Sequence, residues 1–128
     1  MNLLLDTHAF IWWAIDPDKL SPAARAACED AANQLLLSVA SVWEMQIKAQ
    51  LGKLRLPTPL AQLVDHQASR NGLGLMAIEL PHIYALQDLP QHHRDPFDRL
   101  IVAQATVAGL TIVTADRAFA SYAAPVLW

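Results

Sequence analysis

Short apolar runs recur along the chain, and longer stretches with helical signals separate them. Leu3-Leu4-Leu5, Leu35-Leu36-Leu37, Leu75-Met76-Ala77-Ile78 and Thr111-Ile112-Val113 read as strands buried on both faces. Continuously apolar strands that alternate with helices predict a parallel sheet covered on each side. Val126-Leu127-Trp128 adds a small edge strand. Helices are expected over residues 7–14, 23–32 and 59–70, with short ones over 81–87 and 116–122. Another carries Val42, Trp43, Ile47 and Leu51 as its stripe and stops at Gly52. The clearest helix start is Asp95-Pro96, a good N-cap followed by a proline that fits the first helical position. From there Leu100, Ile101, Ala103, Ala105 and Val107 leave almost no polar face before Gly109 stops the helix. This is a single α/β/α three-layer domain over residues 1–128, with a short, mainly parallel sheet and right-handed crossovers. In such sheets ligands sit beyond the carboxyl ends of the strands, where strand order reverses.

Composition narrows the setting. Of 128 residues, 54% are hydrophobic and 16% charged, so part of the surface is expected to meet a partner. No apolar run is long enough to span a bilayer, and the first residues lack a signal-peptide pattern, so no membrane association is expected. Cys28 is the single cysteine, which excludes a disulfide framework or a thiolate cluster and points to a reducing, cytoplasmic setting. The net charge of −3 argues against a broad basic surface for non-specific nucleic-acid binding. Local basic residues remain, because Lys48, Arg94, Arg99 and Arg117 each lie close in sequence to a carboxylate.

The acids are the informative positions. Asp6 follows the first strand, Asp116 lies just past the fourth, and Glu44 is near the start of the helix after the second. Asp98 is in the first turn of the Asp95 helix and joins them if that helix starts near the same edge. Each also has a plain structural reading. Asp6 and Asp116 fit as N-caps, and Ser41-Val42-Trp43-Glu44 and Asp95-Pro96-Phe97-Asp98 fit capping boxes. If Ser38 caps the third helix instead, Glu44 lies deeper and the capping reading fails. Together, four carboxylates in apolar surroundings raise each other's pKa and call for compensation. Helix N-termini give part of it and a divalent cation more. All-oxygen ligation suits Mg²⁺, with Mn²⁺ as an alternative. Such a site polarises a phosphate and activates a water. Thr7 and Thr114 sit beside two of the acids, where they could bind a metal water, orient a carboxylate or simply cap. His92 and His93 read as solvated loop residues, and Trp12, Trp13 and Trp43 as core or subunit contacts rather than base-stacking platforms.

Leu5-Asp6-Thr7-His8, Ser41-Val42-Trp43-Glu44, Arg94-Asp95-Pro96-Phe97-Asp98-Arg99-Leu100 and Thr114-Ala115-Asp116, in that order, resemble the PIN domain. More narrowly the chain resembles VapC-type toxins of bacterial toxin–antitoxin pairs, from end to end. That resemblance implies an Mg²⁺-dependent endoribonuclease, with the catalytic and metal-binding roles on Asp6, Glu44, Asp98 and Asp116. It also implies a small antitoxin and a homodimer. Thr7, Lys48, Arg99 and Thr114 are candidate substrate-binding residues, with Lys48 or Arg99 holding the RNA phosphate. Two other readings share the acids. One is a different Mg²⁺-dependent phosphohydrolase on an α/β scaffold, with a small closed pocket. The other is an interaction module whose acids are only caps.

Overall fold

In a computed structural model describing residues 1–128, the apolar runs form β1 (Asn2–Leu5), β2 (Gln34–Ser38), β3 (Gly74–Met76), β4 (Thr111–Val113) and β5 (Val126–Leu127). Their order is β3-β2-β1-β4-β5, and every pairing is parallel, including that of the small edge strand. The chain moves outward from β1 through β2 to β3, then returns to place β4 on the other side of β1. Strand order therefore reverses between β1 and β4. Leu5 pairs with Leu37 on one side and Val113 on the other. Asp6, Ser38 and Thr114 thus leave the sheet side by side at its carboxyl edge.

Six α-helices connect the strands: α1 (Thr7–Ile15), α2 (Pro22–Glu29), α3 (Val39–Gln50), α4 (Leu60–Asn71), α5 (Leu80–Ala85) and α6 (Pro96–Ala108). Alternation along β1 divides the interior into two cores. Leu3 and Leu5 face Ala9, Phe10, Met45 and Leu63, while Leu4 faces Ile101, Val102, Ala105 and Phe119. α1 to α4 thus contribute to one layer, and α6 with the C-terminal segment forms the other. This is the expected three-layer arrangement.

Several local readings need correction. α2 ends three residues short of its expected end, because the Asp30 carboxylate accepts the Ala32 N–H at 2.9 Å and turns the chain out of the helix. Residues 117–121 form a 3-10 turn rather than an α-helix. α6 is not apolar to its end, since Val107 is 47% exposed. The start of α3 matters most. Ser38 is its N-cap, accepting the Ala40 N–H at 3.0 Å, and Ser41 lies inside the helix. Glu44 therefore sits in the second turn and has no capping role.

A buried cap of this kind contributes about 1 kcal/mol. Ser38→Ala should lower stability by about that amount, as read by urea unfolding. An unchanged midpoint would show that Ser38 does not hold the start of α3.

Candidate active site

Four helical starts and one sheet edge position the acids. Asp6 leaves β1 and caps α1, its Oδ1 accepting the Ala9 N–H at 2.8 Å. Its Oδ2 accepts the Thr114 hydroxyl. The same Thr114 oxygen accepts the backbone N–H of Asp116 at 3.0 Å, so one hydroxyl ties two of the acids together. Asp116 caps the turn after β4, with Oδ1 accepting the Ala118 N–H at 2.9 Å. The structural reading of Asp6 and Asp116 as caps is correct, and each keeps a second oxygen, bonded by Thr114 at Asp6 and by His93 at Asp116.

Glu44 is drawn to the site by its partners. Its side chain is 6% exposed and bonded at both oxygens. Thr7 Oγ1 donates to Oε1 at 2.6 Å and Lys48 Nζ to Oε2 at 2.7 Å. The Thr7 and Ser41 hydroxyls lie 3.0 Å apart, which joins α1 to α3 at this point. Asp95 caps α6 through the Phe97 and Asp98 N–H groups. Asp98 accepts no hydrogen bond from the chain. Burial first, then the charges of Asp95, Glu44 and Asp6, push its carboxyl up to about 7, against a partial opposing effect of His93.

The other acids divide by environment. Burial raises the pKa of Asp6, outweighing the opposing hydrogen bonds from Thr114 and Ala9. Asp116 feels burial too, but hydrogen bonds from His93 and the Ala118 N–H outweigh it and hold its pKa below the usual range. Lys48 is stabilised as the cation, mainly by its hydrogen bond to Glu44 and further by the charges of Asp95 and Asp98.

Two basic candidates have separated. Lys48 is beside the acids, engaged with Glu44. Arg99 turns the other way, its guanidinium donating to the carbonyls of Pro90 at 3.0 Å and Leu86 at 3.1 Å. Thr7 and Thr114 are buried within the cluster, each bonded to an acid.

His93 corrects the sequence reading. Far from solvated, its side chain is 8% exposed, and its Nε2 lies 2.9 Å from Asp116 Oδ2. Ligand atoms of His93, Asp98 and Asp116 all lie within 4.8 Å of one another. An imidazole therefore stands among the acids after all. The polar composition of residues 89–94 hid it. The available signal was length, because this short loop must deliver the start of α6 to the sheet edge. His92 remains exposed, edge-on to Tyr122.

A donor set of carboxylates, one of them proton-holding near neutrality for want of a partner, fits a hard divalent cation. Such an ion would relieve the repulsion at Asp98. Asp98 and Asp116 would hold it most directly, with Asp6 and Glu44 contributing charge beside them.

An α/β/α domain with acids gathered where its parallel sheet reverses defines the class of the molecule. The PIN domain family model matches residues 3–125, and the chain belongs to that family. It is 32% identical over 131 residues to ribonuclease VapC22 of Mycobacterium tuberculosis, covering 97% of this chain and 94% of that protein. It is 40% identical over 58 residues to ribonuclease VapC16 of the same organism, across 45% of this chain and 41% of that one. Among solved structures, VapBC2 of Rickettsia felis bound to a promoter DNA fragment superimposes with a TM-score of 0.71 at 16% identity, covering 100% of this chain and 98% of that one. A toxin–antitoxin complex from Klebsiella pneumoniae gives a TM-score of 0.64 at 20% identity, covering 98% and 96%.

Linkage at Asp98 has a definite sign. A carboxyl raised in the folded state adds stability below its unfolded pKa of 3.8, and that contribution is lost as pH rises through about 7. Without metal, Asp98→Asn should therefore melt well above wild type at pH 8, by less at pH 5, and close to it only near pH 3, below the unfolded pKa. A difference that stays the same across that range would place Asp98 outside the repelling cluster.

Proposed function

We propose that the chain is an Mg²⁺-dependent endoribonuclease, with Mn²⁺ able to substitute, and that a small antitoxin silences it. The observation that carries this reading is the meeting of Asp6, Glu44, Asp98 and Asp116 at the carboxyl edge, with Asp98 pushed up to about 7 by burial and by the other acids. The ribonuclease names of its relatives support RNA as the substrate. A bound divalent cation would polarise the scissile phosphate and lower the pKa of an attacking water.

The chain's own residues set up that chemistry. Asp98 and Asp116 would hold the ion, with Asp6 and Glu44 completing the site directly or through their charge. Thr114 fixes Asp6 relative to Asp116, and Thr7 fixes Glu44. Lys48, now bonded to Glu44, is the basic side chain placed to hold the substrate phosphate. Arg99 acts on the loop rather than on RNA. A phosphohydrolase for small molecules would need a closed pocket over the acids. None of the larger cavities is lined by the acids, and a smaller cleft touches the cluster only at Thr7 and Lys48.

That cleft, of about 400 Å³, is lined by Thr7, His8, Ile11, Trp12, Lys48, Lys53 and Leu54. Its apolar wall suits an amphipathic helix of the antitoxin, which can bring a basic side chain to the acids. Structural neighbours that are toxin–antitoxin complexes support such a partner. Trp43, 61% exposed on α3, and Leu80, Ile83 and Tyr84 on α5 offer apolar surface for a homodimer. No helix is long and apolar enough to cross a membrane. Cys28 is free and buried, in keeping with a reducing cytoplasm.

Purified protein incubated with total RNA and Mg²⁺ should create new 5′ ends, and Asp98→Asn should reduce their yield at least about 10²-fold. Full activity in that variant would remove Asp98 from the site. Mg²⁺ or Mn²⁺ should raise the melting temperature of wild type more than that of Asp6→Asn, by binding the native state. An equal rise would deny Asp6 a share in the site. The neighbouring gene product should bind Trp12→Ala more weakly than wild type. Equal affinity would place the inhibitor elsewhere. Light scattering should give twice the 14.1 kDa chain mass, and a monomer would overturn the dimer.

A further inference from the structure

Resting on that metal-dependent reading, we propose that His93 is a positioning residue, held by the Tyr122 hydroxyl, that aims the Asp116 carboxylate at the cation. Asp116 needs such a restraint. Its side chain is 46% exposed, and its Oδ1 is spent on the Ala118 N–H. Only the His93 bond fixes the direction of Oδ2. A carboxylate oxygen has two lone pairs, so Oδ2 can accept from His93 and still face an ion.

The imidazole is itself rigidly held. Its ring stacks on Tyr122 at an interplanar angle of 9° and lies 4.5 Å from the Phe119 ring, centre to centre. Phe119 and Tyr122 belong to the core beneath α6. Nδ1 lies 3.0 Å from the Tyr122 hydroxyl. Because the Asp116 carboxylate can only accept, Nε2 carries the proton of their bond. In the neutral imidazole Nδ1 is then an acceptor, and the Tyr122 O–H donates to it. The hydroxyl thus selects the tautomer that points an N–H at Asp116. The loop bearing His93 is fastened in turn by Arg99 through the carbonyls of Leu86 and Pro90. Arg99, Tyr122 and His93 form one support running from the core to a half-exposed carboxylate whose other oxygen is held only by the Ala118 N–H. Partners that orient a ligating carboxylate in this way typically change metal affinity about 10–100-fold when removed.

The test is Mn²⁺ titration by calorimetry on the full chain without RNA, alongside melting temperature in the absence of metal. His93→Ala should weaken Mn²⁺ binding about 10–100-fold. His93→Gln, which keeps an N–H donor but is a poor ligand, should recover most of that loss. Tyr122→Phe, which keeps the stacked ring and removes only the hydroxyl, should fall between wild type and His93→Ala. If His93→Ala does not fold, His93→Gln and Tyr122→Phe still decide the matter, by near-native and reduced affinity respectively. The inference is overturned if His93→Ala or Tyr122→Phe binds Mn²⁺ as wild type does. It is also overturned if His93→Gln is as weak as His93→Ala, since His93 would then be a direct ligand. In those cases RNA cleavage by wild type leaves the nuclease reading standing. A wild-type chain that binds no Mn²⁺ brings down the metal-dependent reading and this inference with it.

Discussion

Like charges gathered at one edge of a sheet repel, and the site is arranged around that repulsion. Each acid but one has its own compensation. Asp6 has the Ala9 N–H and the Thr114 hydroxyl, Glu44 has Thr7 and Lys48, and Asp116 has His93 and the Ala118 N–H. Asp98 has no donor from the chain and retains its proton to about pH 7. The unmet need for positive charge is greatest at Asp98, and Asp6, raised by burial despite its two donors, shares in it. A divalent cation, as proposed, would meet that need where side chains do not. The same logic separates the two basic residues first considered for the phosphate. Lys48 is part of the compensation beside the acids, whereas the guanidinium of Arg99 has its partners in the backbone.

Much of the fold was legible because its signals are local. Three-residue apolar runs have too little length for a helix and no polar alternation, so Leu3-Leu4-Leu5 and Leu35-Leu36-Leu37 fit only doubly covered strands. Asp95-Pro96 and Gly109 marked both ends of α6, where the Gly109 φ of +68° explains why glycine stands there. Ser38 and Ser41 were harder to separate. Both can cap, and the choice depended on β2 running on to Ser38 before the chain turned, which is settled by pairing with β3 rather than by the serines. With that choice came the depth of Glu44.

His93 shows the opposite case. Two histidines in a polar loop carry no periodicity and no ligand spacing, so composition assigns both to solvent. What separates them is a tertiary contact. Phe119 and Tyr122, from the end of the chain, build a surface on which one ring stacks and the other only leans. No local pattern encodes that meeting. It arises because β4 and the turn after it lie beside β1, at the place where the sheet reverses.

Capping and chemistry turn out to be compatible uses of one side chain. A carboxylate has two oxygens, and a helix N-cap requires only one. At Asp6 and Asp116 the first oxygen satisfies a helix start and the second is bonded by Thr114 or His93. The cap itself thus sets the rotamer in which the second oxygen would meet an ion, as proposed. The two readings of these acids, as caps and as ligands, were therefore never exclusive. Asp95 and Asp98 divide the same work between two residues. Asp95 gives its Oδ1 to the start of α6, which leaves Asp98 free of capping and exposed to the full repulsion of the cluster. An isolated cap tolerates replacement by serine or asparagine, because only the hydrogen bond matters there. Asp98 makes no such bond, and its burial with a raised pKa has no structural benefit to offset it. An ion held there, as proposed, would account for its place in the molecule.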